Sequence, residues 1–486
     1  MRAMTRTASL IALGTLFALV MACTGPQGRR SGTGGPVTET GAPVSERTME
    51  SFADAYQQYQ AAKAGGLDAG ECSSLAAAFQ KVSDQVESGL PEALFNIGAV
   101  WEECSDHDKA RQFFEQANSS AQAHSKGKAA GFAPALIHLG IAEYRQGRVG
   151  PAKAFFEKAR DADRRSEEAY TALAILRREQ AYDTHKSRGI SAAAEDYREA
   201  QTDLRRALAV NSDYMTAFAQ MALLYLQIAE DNPQMLDITE LVCQQATGRA
   251  RSLGDKVRAT DVAPIHNIWG LALIRKGDVV RAVDQFDAAR TRDPNFFEAH
   301  MNFGAVNLSF RGFEAAADAF QQAIRLRPED YEAHISYGAA LRGLERYDEA
   351  RAEYEKARTI DPSRPQAYYN LAVLMQDYEL SGAGGMDAQI GVLTKAKTVY
   401  RDFLQKCQAK RSDCVRRRPG MEDEDMAASA EKRIKACDET ISGLREAQTL
   451  AAEAERMTRE AEAAAGRGGG EAAPPGGGGD AGAEGE

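Results

Sequence analysis

Three histidines recur at one interval. His266, His300 and His334 stand 34 residues apart, with Tyr368 next in the series. Such a ladder invites metal coordination or proton sensing, because imidazole is a common metal ligand and changes charge near neutral pH. Six cysteines, Cys72, Cys104, Cys243, Cys407, Cys414 and Cys437, could bond in pairs, and none of their spacings is that of a zinc finger. Other chemistry is hard to find. The sequence has no HExxH, no GxSxG, no Walker loop and no GxGxxG after a strand, and no strand pattern is visible anywhere. Its 70 carboxylates are spread along what read as solvated helix faces rather than gathered in pairs. The expectation is a protein that is not an enzyme and uses no cofactor or metal. A net charge of −11 argues against nucleic acid as a partner.

The histidines share their interval with a larger pattern. Aligning Gly270, Gly304 and Gly338 brings four more columns into register: Ala282, Ala316 and Ala350; Phe286, Phe320 and Tyr354; Ala289, Ala323 and Ala357; Pro294, Pro328 and Pro362. A fixed period of this size marks a solenoid of helix–turn–helix units. Small residues such as Gly304 and Ala316 let two helix backbones approach. The aromatic at Phe320 is expected to fill the wedge between one pair and the next, and the closing proline ends each unit.

These columns resemble the tetratricopeptide repeat (TPR) family. The resemblance implies an all-α fold, a TPR α-solenoid in which helix–turn–helix repeats form a superhelix, with protein binding in a concave groove. It also implies that the histidine column is a packing column. First helices of successive repeats lie roughly 9–10 Å apart, too far to share a metal whose bonds are near 2 Å. Packed, neutral histidines are therefore expected. By register, the groove positions are Asn267, Leu271 and Ile274, then Met301, Ala305 and Leu308, then Ile335, Ala339 and Arg342, then Tyr369, Val373 and Gln376. This strip is mostly apolar and lacks the Lys and Asn set of the carboxylate-clamp members. It suits an amphipathic helix or an extended segment of a partner. The alternative is that the chain's own insertions or C-terminal helix fill it.

The first residues are of a different kind. Arg2 and Arg6 precede an apolar run over residues 10–20, too short to span a membrane, and small residues then lead to Cys23. Val20-Met21-Ala22-Cys23 resembles a lipobox, which implies lipidation of Cys23 and attachment to the membrane through it. The alternative is an ordinary secretory signal cleaved after Ala22, with Cys23 a free thiol. No Asp follows Cys23, and Thr24 points to an outer-membrane lipoprotein facing the periplasm. Export would place the remaining cysteines where disulfides persist. The expected pairs are Cys72 with Cys104 and Cys407 with Cys414. Cys243 reads as a buried free thiol at a position where a second helix wants a small residue.

The chain then divides as follows. Residues 1–22 are the signal peptide and 23–45 a disordered Gly/Pro/Ser tether. Residues 46–132 hold irregular N-terminal repeats, with a longer loop near 119–128. Residues 133–262 hold further repeats, two of them, 167–214 and 215–262, stretched to 48 residues. Such extra length often carries a binding face. The three regular repeats occupy 263–364. Residues 365–420 form a last repeat with an inserted loop, SGAGGMD, and a basic stretch with Arg411, Arg416, Arg417 and Arg418, a second candidate surface for an acidic partner or anionic lipid. A C-terminal helix covers 421–465, capping the solenoid before it extends into solvent, and 466–486 is a disordered Gly-rich acidic tail.

Together these features imply a scaffold of a bacterial envelope complex. The signal, tail and composition resemble those of TPR lipoproteins of large-genome soil bacteria, including those of adventurous gliding motility in myxobacteria. The main alternative is a pilotin-like assembly factor for an outer-membrane secretin or pore. An envelope enzyme that uses the solenoid as a platform is opposed by the missing catalytic set.

Overall fold

A glycine facing an aromatic ring closes five of the helix pairs described in this protein. The computed structural model describes Thr38, Ala42 and residues 44–125, 131–409, 411–416 and 424–468. It divides into two compact units, residues 1–303 and 304–486. Both are helical solenoid segments.

In the first unit, α1 (Glu46–Gly65) and α2 (Ala69–Ser83) precede the repeats. Ser45 caps α1, and Asp68 with Glu71 forms a reciprocal capping box on α2. Five pairs follow: α3 (Pro91–Glu103) with α4 (His107–His124), α5 (Ala133–Arg145) with α6 (Val149–Ala162), α7 (Glu167–Arg188) with α8 (Ile190–Val210), α9 (Met215–Ile228) with α10 (Met235–Leu253), and α11 (Ala259–Lys276) with α12 (Val279–Arg292). The helix α13 (Phe297–Ser309) begins the next repeat.

The first helix of each pair is the inner one. In α3, α5 and α9 most residues are buried, and in α11 half are, whereas α6 buries only Ala152, Phe156 and Ala159 and α12 only Ala282, Phe286 and Ala289. A second helix thus shows the core a narrow stripe of small, aromatic, small residues and gives its other faces to water. The ring of that stripe lies on the glycine of its own first helix, sixteen residues earlier. A Cβ placed on Gly98, Gly140 or Gly270 would run into the ring of Phe114, Phe156 or Phe286. Ring and glycine therefore close the pair itself rather than only the wedge between pairs. Each buried ring contributes about 2–3 kcal/mol. In two pairs of this unit both the glycine and the ring are absent: Ala174 shares a cluster with Leu204, and Ala222 with Cys243. Cys243 precedes Ala246 by the spacing that separates Phe286 from Ala289. It occupies the aromatic column, not the small-residue column first assigned to it. It is buried and unbonded, and burial raises its thiol pKa.

The extra residues of the repeat at 167–214 lengthen both helices, to 22 and 21 residues against 13 and 14 in α5 and α6. Two expectations change. Helix α4 runs on to His124, so most of the loop placed near 119–128 is helical. The tether does not reach 45 as free chain. Thr38 and Ala42 are buried, bonded to each other by Thr38 N–H to the Ala42 carbonyl at 3.0 Å and Ala42 N–H to Thr38 Oγ1 at 3.2 Å. Residues 1–37, with Cys23, lie outside the described residues. No helix among those described is long and apolar enough to cross a membrane.

The second unit continues with α14 (Phe313–Leu326), α15 (Tyr331–Gly343), α16 (Tyr347–Ile360), α17 (Gln366–Leu374), α18 (Met386–Ala409) and α19 (Met426–Gly468). Gly304 faces Phe320 and Gly338 faces Tyr354 by the same rule. Arg327 and Asp361, each before a proline, have extended backbone, and there α14 and α16 end. Helix α17 passes into a π-turn at Met375–Glu379 before the chain breaks and α18 begins. Met426, Ala427, Ala430, Cys437 and Ile441 of α19 are buried, while Leu450 and Met457 further along are 60% and 66% exposed. Where no strand was visible in sequence, Val415–Arg416 pairs antiparallel with Glu424–Asp425 as a two-residue ladder, β1 and β2.

Candidate partner-binding surface

The first helices are nearly enclosed, so few of their side chains can meet a partner. In the first unit, Asn267 and Met301 are buried. Asn302 Nδ2 donates to Asn267 Oδ1 at 2.8 Å, which closes α11 against α13 at that level. These two positions are packing residues, not groove residues. Leu271 and Ile274, one and two turns on, remain half-buried. Below them Arg275 donates to the Leu226 carbonyl oxygen at 2.6 Å.

In the second unit, Leu308, Ile335 and Arg342 are half-buried. Ile335 leans on the cluster of Tyr331, Ala357 and Ala367, so only part of its surface is free. Tyr369 leaves the candidate surface altogether. Its hydroxyl meets Ser429 Oγ of α19 at 2.9 Å, and its ring lies 5.2 Å from Phe403 and 6.0 Å from Tyr400. Gln376 Oε1 accepts from Tyr400 and from Arg433, each at 2.9 Å, and Arg433 also reaches Asp377. The C-terminal helix thus fills the last repeat's share of the expected strip, because an open solenoid end would leave Tyr369, Tyr400 and Phe403 in water. What stays open is Leu271 and Ile274 in one unit, and Ala305, Leu308, Ala339, Arg342 and part of Ile335 in the other.

The histidines differ from one another. His266 Nδ1 sits 2.8 Å from Gln285 Oε1, and burial lowers its pKa. His300 Nε2 is 2.9 Å from the Pro294 carbonyl. His334 has the opposite shift to His266. Burial opposes its charge, but Glu353 Oε2 at 2.6 Å from Nδ1 and the Pro328 carbonyl at 2.9 Å from Nε2 outweigh it and raise the pKa. With acceptors at both nitrogens, the ring is suited to a proton on each. Among the described residues, no group of three His, Cys, Asp or Glu side chains is placed to hold a metal.

Ion pairs rivet one repeat to the next in the first unit. Glu102 lies between His138 Nδ1 at 2.7 Å and Arg145 at 2.5 Å. Burial alone would raise its pKa, but these two partners hold the carboxyl down at about 2. The lengthened hairpin of α7 and α8 is braced in the same way. Lys186 and Tyr182 reach Glu230, and the buried His185 meets Asp231 and, at 3.2 Å, the Tyr197 hydroxyl. Arg178 is 1% exposed, and burial draws its guanidinium down to about 10. The sequence reading missed this brace, since its partners come from different repeats. The recurrence of charged pairs at repeat-length spacing, 44 residues for Lys186 and Glu230, was the available signal.

Disulfides join Cys72 to Cys104 and Cys407 to Cys414, with Cα separations of 6.4 and 5.8 Å. The second closes the basic stretch at its base. Arg411 pairs with Asp425, and the Arg416 backbone pairs with Glu424. Arg417 and Arg418 lie outside the described residues.

Residues 306–365 match the tetratricopeptide repeat model. No protein among the curated ones matches the chain in sequence. Solved structures similar to it include the MamA protein, at 18% identity with a TM-score of 0.29 over 38% of this chain and 91% of that one. YrrB, described as a TPR protein with an unusual peptide-binding site, is 17% identical over 44% and 95% of the two chains, with a TM-score of 0.30. The C-terminal part of a TPR repeat-containing protein from Cytophaga hutchinsonii is 17% identical over 55% and 98%, with a TM-score of 0.34.

Proposed function

We propose, from the premise that this is a tetratricopeptide-repeat protein, that it is a lipid-anchored scaffold of a bacterial envelope complex, holding segments of partner proteins on its first helices. The chemistry is reversible association. The observation that carries the reading is the set of half-buried apolar side chains, Leu271, Ile274 and Leu308, left uncovered on the inner helices of their pairs. Such residues gain by burial against an apolar partner face, at about 25 cal/mol per Å² covered. The two disulfides support an exported protein, since such bonds persist in oxidising compartments. Anchoring through Cys23, an outer-membrane position facing the periplasm and a place in a motility machine complete the proposal.

Photo-crosslinking in intact cells tests it, with the reactive residue at Leu271 or at Leu308. Capture of one envelope protein at both positions, with capture from position 271 lost in Leu308→Asp but kept in Leu308→Met, supports the scaffold. Crosslinks that land only on this chain overturn it. Incorporation of labelled fatty acid that disappears in Cys23→Ser tests the anchor. A deletion strain tests the machine: stalled movement with normal secretin multimers supports it, and missing multimers show an assembly factor instead.

A further inference from the structure

One pocket stands apart from the first-helix strip, at the junction of α15, α16 and α17. The first residue of the second helix is aromatic in two successive repeats, Phe313 and Tyr347. Phe313 lies against Gly343, where a Cβ would enter its ring. That missing side chain lets the ring settle onto the neighbouring helix. One repeat further on, no glycine is present. Helix α17 instead takes its π-turn at Met375–Glu379, and Tyr378 comes face to face with Tyr347, ring centroids 4.3 Å apart at 24°. Single π-turns of this kind often re-aim a side chain at a functional site.

The paired rings wall a pocket of about 350 Å³ that also includes Glu345, Asp348, Glu349 and Glu379. The arginines nearby are already engaged. Arg346 is held in two parallel bonds by Glu349, each 2.7 Å, and Arg351 is paired with Glu379. Glu345 and Asp348 have no partner among the described residues. The pocket therefore combines half-exposed aromatic faces with two uncommitted carboxylates.

We propose that this pocket binds an arginine side chain carried by an extended basic segment of a partner protein. A guanidinium can lie flat on the outer tyrosine face while its N–H groups reach Glu345 and Asp348. A lysine ammonium supplies the charge without the stacking plane. The rings supply the stacking wall of the site and the carboxylates select the sign of the ligand. The inference does not depend on the first-helix strip, and its failure leaves that reading standing.

Fluorescence anisotropy with the purified full-length chain tests the proposal. The probes are two labelled peptides of alternating glycine and arginine, or glycine and lysine, of equal length and charge. The arginine peptide should bind about fivefold tighter than the lysine peptide. Tyr378→Leu should weaken it about tenfold, and Tyr378→Phe less than about twofold. Glu345→Gln with Asp348→Asn should weaken it several-fold and reduce the dependence on salt. Unchanged binding in both Tyr378→Leu and the double carboxamide variant overturns the proposal, as does equal binding of the two peptides, which would show attraction to a net negative surface alone.

Discussion

Replacing Gly270 by alanine tests the closure rule of the repeats. The added Cβ would sit 2.6 Å from Phe286 Cε1, with two further ring carbons at 2.7 and 2.8 Å. Relief requires the ring or helix to move by about 0.8 Å in a core where Phe286 is 1% exposed. Overpacking of this kind costs about 1–3 kcal/mol, and alanine's better helix propensity returns about 1 kcal/mol. The net loss should be about 0–2 kcal/mol. Phe286→Leu alone should cost a similar amount through the space it leaves. The double variant recreates the pairing that the protein itself uses at Ala174 and Leu204. It should be more stable than the sum of the single losses by about 1–2 kcal/mol, a coupling between touching residues. Urea unfolding, followed by hydrogen exchange of α11 and α12 because a repeat array need not unfold in one step, measures all four proteins. A coupling of zero would refute the argument that the ring needs the glycine.

Three further outcomes follow from particular residues. The Glu102 carboxyl is held at about 2 in the fold against an ordinary value of 4.5, so its contribution is present above pH 4.5 and lost as pH falls towards 2. Glu102→Gln should cost up to about 3 kcal/mol at pH 7, and the difference from wild type should vanish near pH 2 in thermal unfolding. Reducing Cys72–Cys104, which spans 32 residues, should destabilise the N-terminal repeats by about 3–4 kcal/mol, more than reducing Cys407–Cys414 across 7 residues does near α18, as read by exchange with and without dithiothreitol. Arg311 has φ 62°, at the turn position where other repeats place Gly147 and Gly277. Arg311→Gly should raise stability by about 0.5–1 kcal/mol in urea titration; a loss would show that its side chain matters more than its backbone.

The helix pairs were legible in the sequence because their closure is local. Gly270, Phe286 and Ala289 lie within a few turns of one another, and steric fit alone dictates their types. The same columns identified the half-buried Leu271, Ile274 and Leu308 on the first helices. Sequence could not show that Asn267 and Met301 are enclosed, since burial depends on how closely the next first helix approaches. It placed Tyr369 in the groove but left open whether a helix 60 residues later would cover it, as Ser429 does. The aromatic pocket was hidden for a related reason. The π-turn that brings Tyr378 onto Tyr347 reflects packing between repeats, and hydrophobic periodicity carries no record of it.

By itself, then, the order of residues determined the repeat, its helices and the small–aromatic–small stripe, because each rests on contacts within one hairpin. Only the tertiary structure decided which face remains open and which carboxylates are engaged. Those outcomes depend on side chains distant in the chain, such as Glu102 with His138 or Arg433 with Asp377, and on geometry that exists only once the repeats have stacked.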